Sequence, residues 1–145
     1  MADSHGMQPI HVAAAGCHLP VIQYLHEQGG VPLDVVTNEG MQPIHAAAAG
    51  GHLAIIQYLH EHGVALSVSY NLGMQPIHVA AVGGHLATIQ YLHEHGVALN
   101  VASDHGIQPL QLAESWNGHD GRGRDVARRA ALVLWMKERL TVQKD

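Results

Sequence analysis

Between residues 53 and 61 the chain reads LAIIQYLHE, with apolar side chains at 53, 55, 56, 58 and 59. That recurrence follows the 3.6-residue period of a helix and not the alternation of a strand. The stretch before it, PIHAAAAGG, predicts a shorter helix over Pro43–Ala49. Proline suits the first helical turn, where its missing N–H is not needed. Gly50-Gly51 then ends the helix, and small alanines let its neighbour approach closely. After Gly63 the residues Val64–Leu72 read as an extended segment leading to the next turn glycine, a position that tolerates φ > 0. One unit is therefore helix, turn, helix and an extended finger.

The unit recurs. GMQPIH stands at 6–11, 40–45 and 73–78, and a divergent copy, GIQPLQ, at 106–111. Residues 40–66 and 73–99 agree at 24 of 27 positions, differing only at Ala46/Val79, Ala49/Val82 and Ile55/Thr88. Residues 6–29 agree with 40–63 at 19 of 24. A period near 33 is too short for an independent domain, so each unit must bury its apolar face on its neighbours. The chain is a solenoid.

These residues resemble the ankyrin repeat family. The family's T-P-L-H-x-A is matched by Q-P-I-H-x-A, and its following G-H by GGHLAIIQYLHEHG and GGHLATIQYLHEHG. The likeness runs over about 3–116 and extends through a fourth second helix to 140. It implies an all-α solenoid of about four helix-turn-helix units with β-hairpin-like fingers, forming one domain over 1–145. The repeats then fall at about 3–36, 37–69, 70–102 and 103–140, the last a divergent C-terminal cap with an inserted Gly/Arg loop. Three departures stand out. Gln replaces the family's capping Thr at 8, 42, 75 and 108, a poorer N-cap by roughly 1 kcal/mol per repeat. Cys17 takes the place of a glycine before His18, and Gly29-Gly30 adds a residue to the first repeat.

Charge is unevenly placed. Residues 1–121 hold nine acids and no Lys or Arg, so this body carries −9; the seven basic residues and three acids beyond it give +4. An acidic body repels phosphate, which argues against a nucleic-acid partner. No apolar run reaches the roughly 18–20 residues that a membrane span needs, and a single Cys17 allows no internal disulfide. A soluble, cytoplasmic protein is expected, with delivery into a host cell as the other setting considered. The segment DVARRAALVLWMKERL reads as an amphipathic closing helix with Val126, Ala130, Leu134 and Trp135 inward and its basic groups largely outward. The preceding GHDGRGRD lacks a phosphate-loop ending and reads as a flexible connection.

Fourteen histidines invite a metal reading, yet eleven are locked to the repeat, at 11/45/78, 18/52/85, 26/60/93 and 62/95. Equivalent positions in adjacent repeats lie about 10 Å apart, too far to share a zinc ion with bonds of about 2 Å. No metal site is expected, and no cofactor. His45 and its equivalents read as hydrogen-bonded residues at the repeat junction. His26, His60 and His93 occupy positions where the family usually places a buried leucine, which predicts a partly buried ladder of neutral histidines. Cys17 reads as a small buried thiol, and adjacency to His18 does not aim a base at its sulfur. No residue constellation supports catalysis, and the resemblance implies a non-enzymatic protein.

Residues shared by all repeats can describe only the scaffold. The differences gather just before each glycine, at Asp3–His5, Val36–Glu39, Ser69–Leu72 and Ala102–His105. Variable loops on a rigid frame are where recognition residues usually sit. The expected partner-binding set is Asn38, Glu39, Met41, Tyr70, Asn71, Leu72, Met74, Asp104, His105 and Ile107. Tyr70 and Leu72 would be central anchors, Glu39 and Asp104 an acidic rim, and the methionines a soft apolar stripe. The resemblance adds the first-helix positions Ala46, Ala49, Val79 and Val82. The function expected is a protein–protein interaction module acting as adaptor, inhibitor or effector on an unidentified protein partner. Two alternatives remain. One is self-assembly through a first repeat that carries no capping substitutions, although a monomer is expected. The other is modification of Asn100, which resembles the finger asparagine targeted by asparaginyl hydroxylases.

Overall fold

A computed structural model describes residues 4–115 and the helix 123–143. Its helices are α1 (Pro9–Ala15), α2 (Leu19–Glu27), α3 (Pro43–Gly50), α4 (Leu53–Glu61), α5 (Pro76–Gly83), α6 (Leu86–Glu94), α7 (Pro109–Glu114) and α8 (Gly123–Gln143). The odd-numbered helices α1, α3, α5 and α7 stack directly on one another, and each packs on the even helix that follows. Alanine makes this close stacking possible: Ala46, Ala47 and Ala48 of α3 and Ala80 and Ala81 of α5 are buried. Ile44, Ile55, Ile56 and Leu59, with Ile77, Ile89, Leu92 and Leu99, fill the space between helix layers with no accessible surface. Among the described residues, ladder pairing in the fingers is confined to one isolated bridge, Tyr70 to Met74, so they are hydrogen-bonded turns and not extended hairpins.

The repeated histidine explains why Gln can stand at the N-cap. No hydrogen bond from the Gln42 side chain caps α3. Instead the Gln42 N–H donates to Nδ1 of His45, three residues on, at 3.0 Å. With Nδ1 accepting, the ring proton lies on Nε2, which donates to the Val68 carbonyl of the following finger at 2.9 Å. His78 repeats the arrangement with Gln75 and Val101, and His11 with Gln8 and Val35. The last repeat has Gln111 here; its Oε1 accepts the Gln108 N–H at 2.8 Å, preserving the half of the device that closes the helix start.

Helix ends are tied across repeats. Nε2 of His52 reaches the Ala15 carbonyl at the end of α1, and that of His85 reaches the Ala49 carbonyl near the end of α3, both at 2.9 Å. At the end of α5 arginines from α8 take over: Arg129 donates to the carbonyls of Ala81 and Val82, and Arg128 to that of Gly83. A cation on terminal carbonyls satisfies otherwise unpaired acceptors and opposes the helix dipole.

That placement corrects the expected face of α8. Arg129, Leu132 and Met136 are buried, whereas Ala130 and Leu134 are exposed; Trp135 is half-buried. Arginine turns inward because the carbonyls of α5 await a donor, which rotates Leu134 to solvent. Lys137 pairs with Glu114 of α7 at 3.5 Å and Arg139 lies over the Trp135 ring at 5.2 Å. The Val126 side chain and most of the Gly/Arg loop lie outside the described residues.

Cys17 is also corrected: it is exposed. Its φ of 63° matches the left-handed geometry that Gly51 and Gly84 supply in the next two repeats, so the glycine-for-cysteine exchange leaves a strained turn. His26, His60 and His93 are half-buried, as expected of the ladder. The fully buried histidines are the motif residues His11, His45 and His78.

Candidate protein-interaction face

The second, third and fourth finger tips are turns whose first residue, Thr37, Tyr70 or Ser103, decides their shape. At the second tip the Thr37 N–H donates to the Met41 carbonyl and the Gly40 N–H to the Thr37 carbonyl, both at 2.9 Å. Thr37 Oγ1 accepts from the N–H groups of Glu39 and Met41. The fourth tip copies this with Ser103, Gly106 and Ile107. A hydroxyl on Cβ is what these two turns require, and both Thr37 and Ser103 are buried. They are staples of the turn and offer little to a partner.

The third tip begins with Tyr70, which has no such hydroxyl, and it folds differently. Tyr70 and Met74 exchange both backbone hydrogen bonds at 2.9 Å. Closing this tighter loop forces Leu72 into the left-handed region at φ 65°, a costly conformation for a branched side chain. Leu72 nevertheless stands 52% exposed. The Tyr70 ring turns back onto the motif histidine of the preceding repeat, its centre 4.6 Å from that of His45. Burial, then the nearby Glu39 carboxylate, raises the Tyr70 pKa above its ordinary value.

Adjacent tips are joined in a fixed register. The N–H of Asn38 donates to the carbonyl of His5, that of Asn71 to Glu39, and that of Asp104 to Leu72, at 2.9–3.2 Å. Close approach here demands glycine at Gly73: a Cβ would meet the Asp104 carboxylate at 2.4 Å and its backbone nitrogen at 2.8 Å. The row of tips is therefore one connected surface.

Of the expected set, Asn38, Glu39, Asn71, Leu72, Asp104, His105 and Ile107 are exposed along this row. Met41, Met74 and Tyr70 are half-buried, Tyr70 as part of the fold as much as of the surface. Among the first-helix positions Val82 and Ala49 are exposed, Val79 is half-buried and Ala46 is buried. Asn100 is exposed in a turn before the fourth tip.

Burial lowers the pKa of His45 and of His78, so both stay neutral where an exposed histidine would take up a proton. His85 is lowered too, chiefly by burial and further by Arg128, His52 and Arg129.

Two family models, both described as ankyrin repeats in many copies, match residues 10–60 and 61–113. The chain belongs to the ankyrin repeat family. No curated protein matches it. Ankyrin repeats are in general protein-interaction modules and non-catalytic. Among the described residues no helix is long and apolar enough to cross a membrane.

Proposed function

We propose that this ankyrin repeat protein is a non-catalytic cytoplasmic scaffold that binds a protein partner across its finger tips and the adjoining exposed end of α5. One observation carries the reading: on a frame whose repeats are nearly identical, the third tip holds a strained, exposed Leu72 between the acidic Glu39 and Asp104. Left-handed strain of about 1–2 kcal/mol at a branched residue contributes nothing to packing when the side chain faces solvent. A body without Lys or Arg before residue 122 favours a cationic partner segment with an apolar anchor that meets Leu72, Val82 and Ile107. The test is recovery of partners on immobilised protein beside the Leu72→Asp and Asp104→Lys variants. A partner lost by both variants supports the face; one retained by both removes it.

A specific observation also favours the self-association reading. Val12, Val21 and Tyr24 are 59%, 48% and 67% exposed, while their counterparts Ala46, Ile55 and Tyr58 in the second repeat are 6%, 0% and 8% exposed. Interior repeats bury these positions on the preceding unit, where the Tyr58 hydroxyl donates to Glu27 at 3.2 Å. Val12, Val21 and Tyr24 are uncharged, so two copies can meet on them without repulsion. Light scattering across concentration decides: mass that rises with concentration and falls back in Tyr24→Glu supports pairing, and a constant monomer mass ends it.

A further inference from the structure

Equivalent histidines of adjacent repeats are held apart, but the fold brings non-equivalent ones together. His26 of α2 meets His62 at the end of α4, ring centres 5.7 Å apart and planes at 84°. One repeat on, His60 meets His95 at 4.9 Å and 81°. Each pair lines its own cleft beneath the fingers, of about 410 Å³ at His26 and His62 and about 560 Å³ at His60 and His95. The clefts are repeat copies of one another: Gln42 and Val64 line the first where Gln75 and Val97 line the second. In the first, Oε1 of Gln42 is buried without a hydrogen-bond partner.

The hydrogen bonds of the rings also leave Nε2 as the nitrogen open to a ligand. His62 Nδ1 faces the Tyr58 carbonyl and His95 Nδ1 the Tyr91 carbonyl, both at 2.8 Å, and His26 Nδ1 faces the Val31 carbonyl at 3.0 Å. A carbonyl only accepts, so each Nδ1 bears the proton and each Nε2 presents a lone pair. This is how ligating histidines are held in metal sites. His60 Nδ1 has the Tyr91 hydroxyl at 2.9 Å, which accepts as readily. Two imidazoles on one tetrahedral ion, with bonds of about 2 Å, hold their ring centres roughly 5 Å apart. The two observed separations bracket that value.

We infer that the clefts are two repeat-related sites for a late first-row divalent ion such as zinc, each held by Nε2 of a histidine pair, His26–His62 or His60–His95. Water completes the coordination, because among the described residues no three His, Cys, Asp or Glu side chains gather around one point. Imidazole is a preferred ligand for such ions and a poor one for calcium or magnesium. The third junction is excluded by its chemistry: His93 there faces Trp135 at 5.9 Å, and an indole N–H is no metal ligand.

Calorimetric titration of chelator-washed protein with zinc tests this, with His18→Gln as a control at an exposed histidine outside both clefts. Two ions per chain are expected for the parent and the control, one for His62→Gln, one for His95→Gln and none for the double variant. Copper(II) bound to the single variants should show electron-paramagnetic hyperfine coupling to two imidazole nitrogens. Circular dichroism checks the fold, and His26→Gln with His60→Gln replaces any variant that unfolds. No zinc binding by the parent, or a stoichiometry the double variants leave unchanged, overturns the assignment.

Discussion

Acid should unfold this protein through its motif histidines. His45 and His78 are buried, each with Nδ1 accepting a backbone N–H and Nε2–H donating to a carbonyl one finger on. A proton added to Nδ1 would face another donor, and the charge would have no water. Their folded pKa values are lowered by burial from 6.5. The unfolded chain then binds more protons below that value, so stability is full above about pH 6.5 and declines as pH falls through it. At pH 5.5 a freely titrating histidine stabilises the unfolded state by about 1.4 kcal/mol. Two residues that stay neutral in the folded protein therefore cost up to about 3 kcal/mol. With a urea dependence of about 2 kcal/mol per molar, the midpoint should drop by up to about 1.5 M between pH 7.5 and 5.5. Titrating the His45 and His78 ring resonances by NMR in the folded state locates the effect. An equal or higher urea midpoint at pH 5.5, or ring resonances that titrate near 6.5 while the fold persists, would mean that His45 and His78 do not stay neutral in the folded protein.

Three further outcomes follow from the packing. Leu132→Ala should lose about 2–5 kcal/mol through a cavity under α8, whereas Leu134→Ala should change urea stability by no more than about 0.5 kcal/mol; equal effects would contradict the observed helix face. Arg129→Met should cost about 2 kcal/mol by stripping donors from the end of α5, read as a fall in melting temperature of roughly 4–8 °C. Cys17→Gly should match or exceed parental stability by up to about 1 kcal/mol, since it relieves a left-handed φ; a clear loss would mean that the side chain makes a needed contact.

Much of the fold was legible in the letters. The Pro start, the alanine run and the Gly-Gly stop located α3 to within one residue, and the spacing of apolar positions located α4. The motif histidine was legible as a junction residue. Other features were hidden because they depend on what faces a residue across a repeat. Apolar spacing alone pointed Leu134 inward, and only the unpaired carbonyls of α5 explain why Arg129 displaces it. Tyr70 stood in a variable segment and so read as free for recognition, yet its ring rests on His45. Thr37 and Ser103 looked like surface variation and are turn staples. The histidine pairs do not fall at like positions of the repeat but at offsets of 35 and 36 residues, as in His60–His95 and His26–His62. The exposure of Asn38, Glu39, Asn71, Leu72, Asp104, His105 and Ile107 was legible, since each stands beside a turn glycine between helices.

Hydrogen exchange read by mass spectrometry, on the protein alone and with a partner recovered as above, tests the interaction face most directly. Exchange should slow at 38–41, 71–74 and 104–107, which hold the joined tips, with α4 and α6 unchanged on their outer side. Protection confined to those outer helices or to α8, with the tips exchanging as in the free protein, would contradict the proposed face.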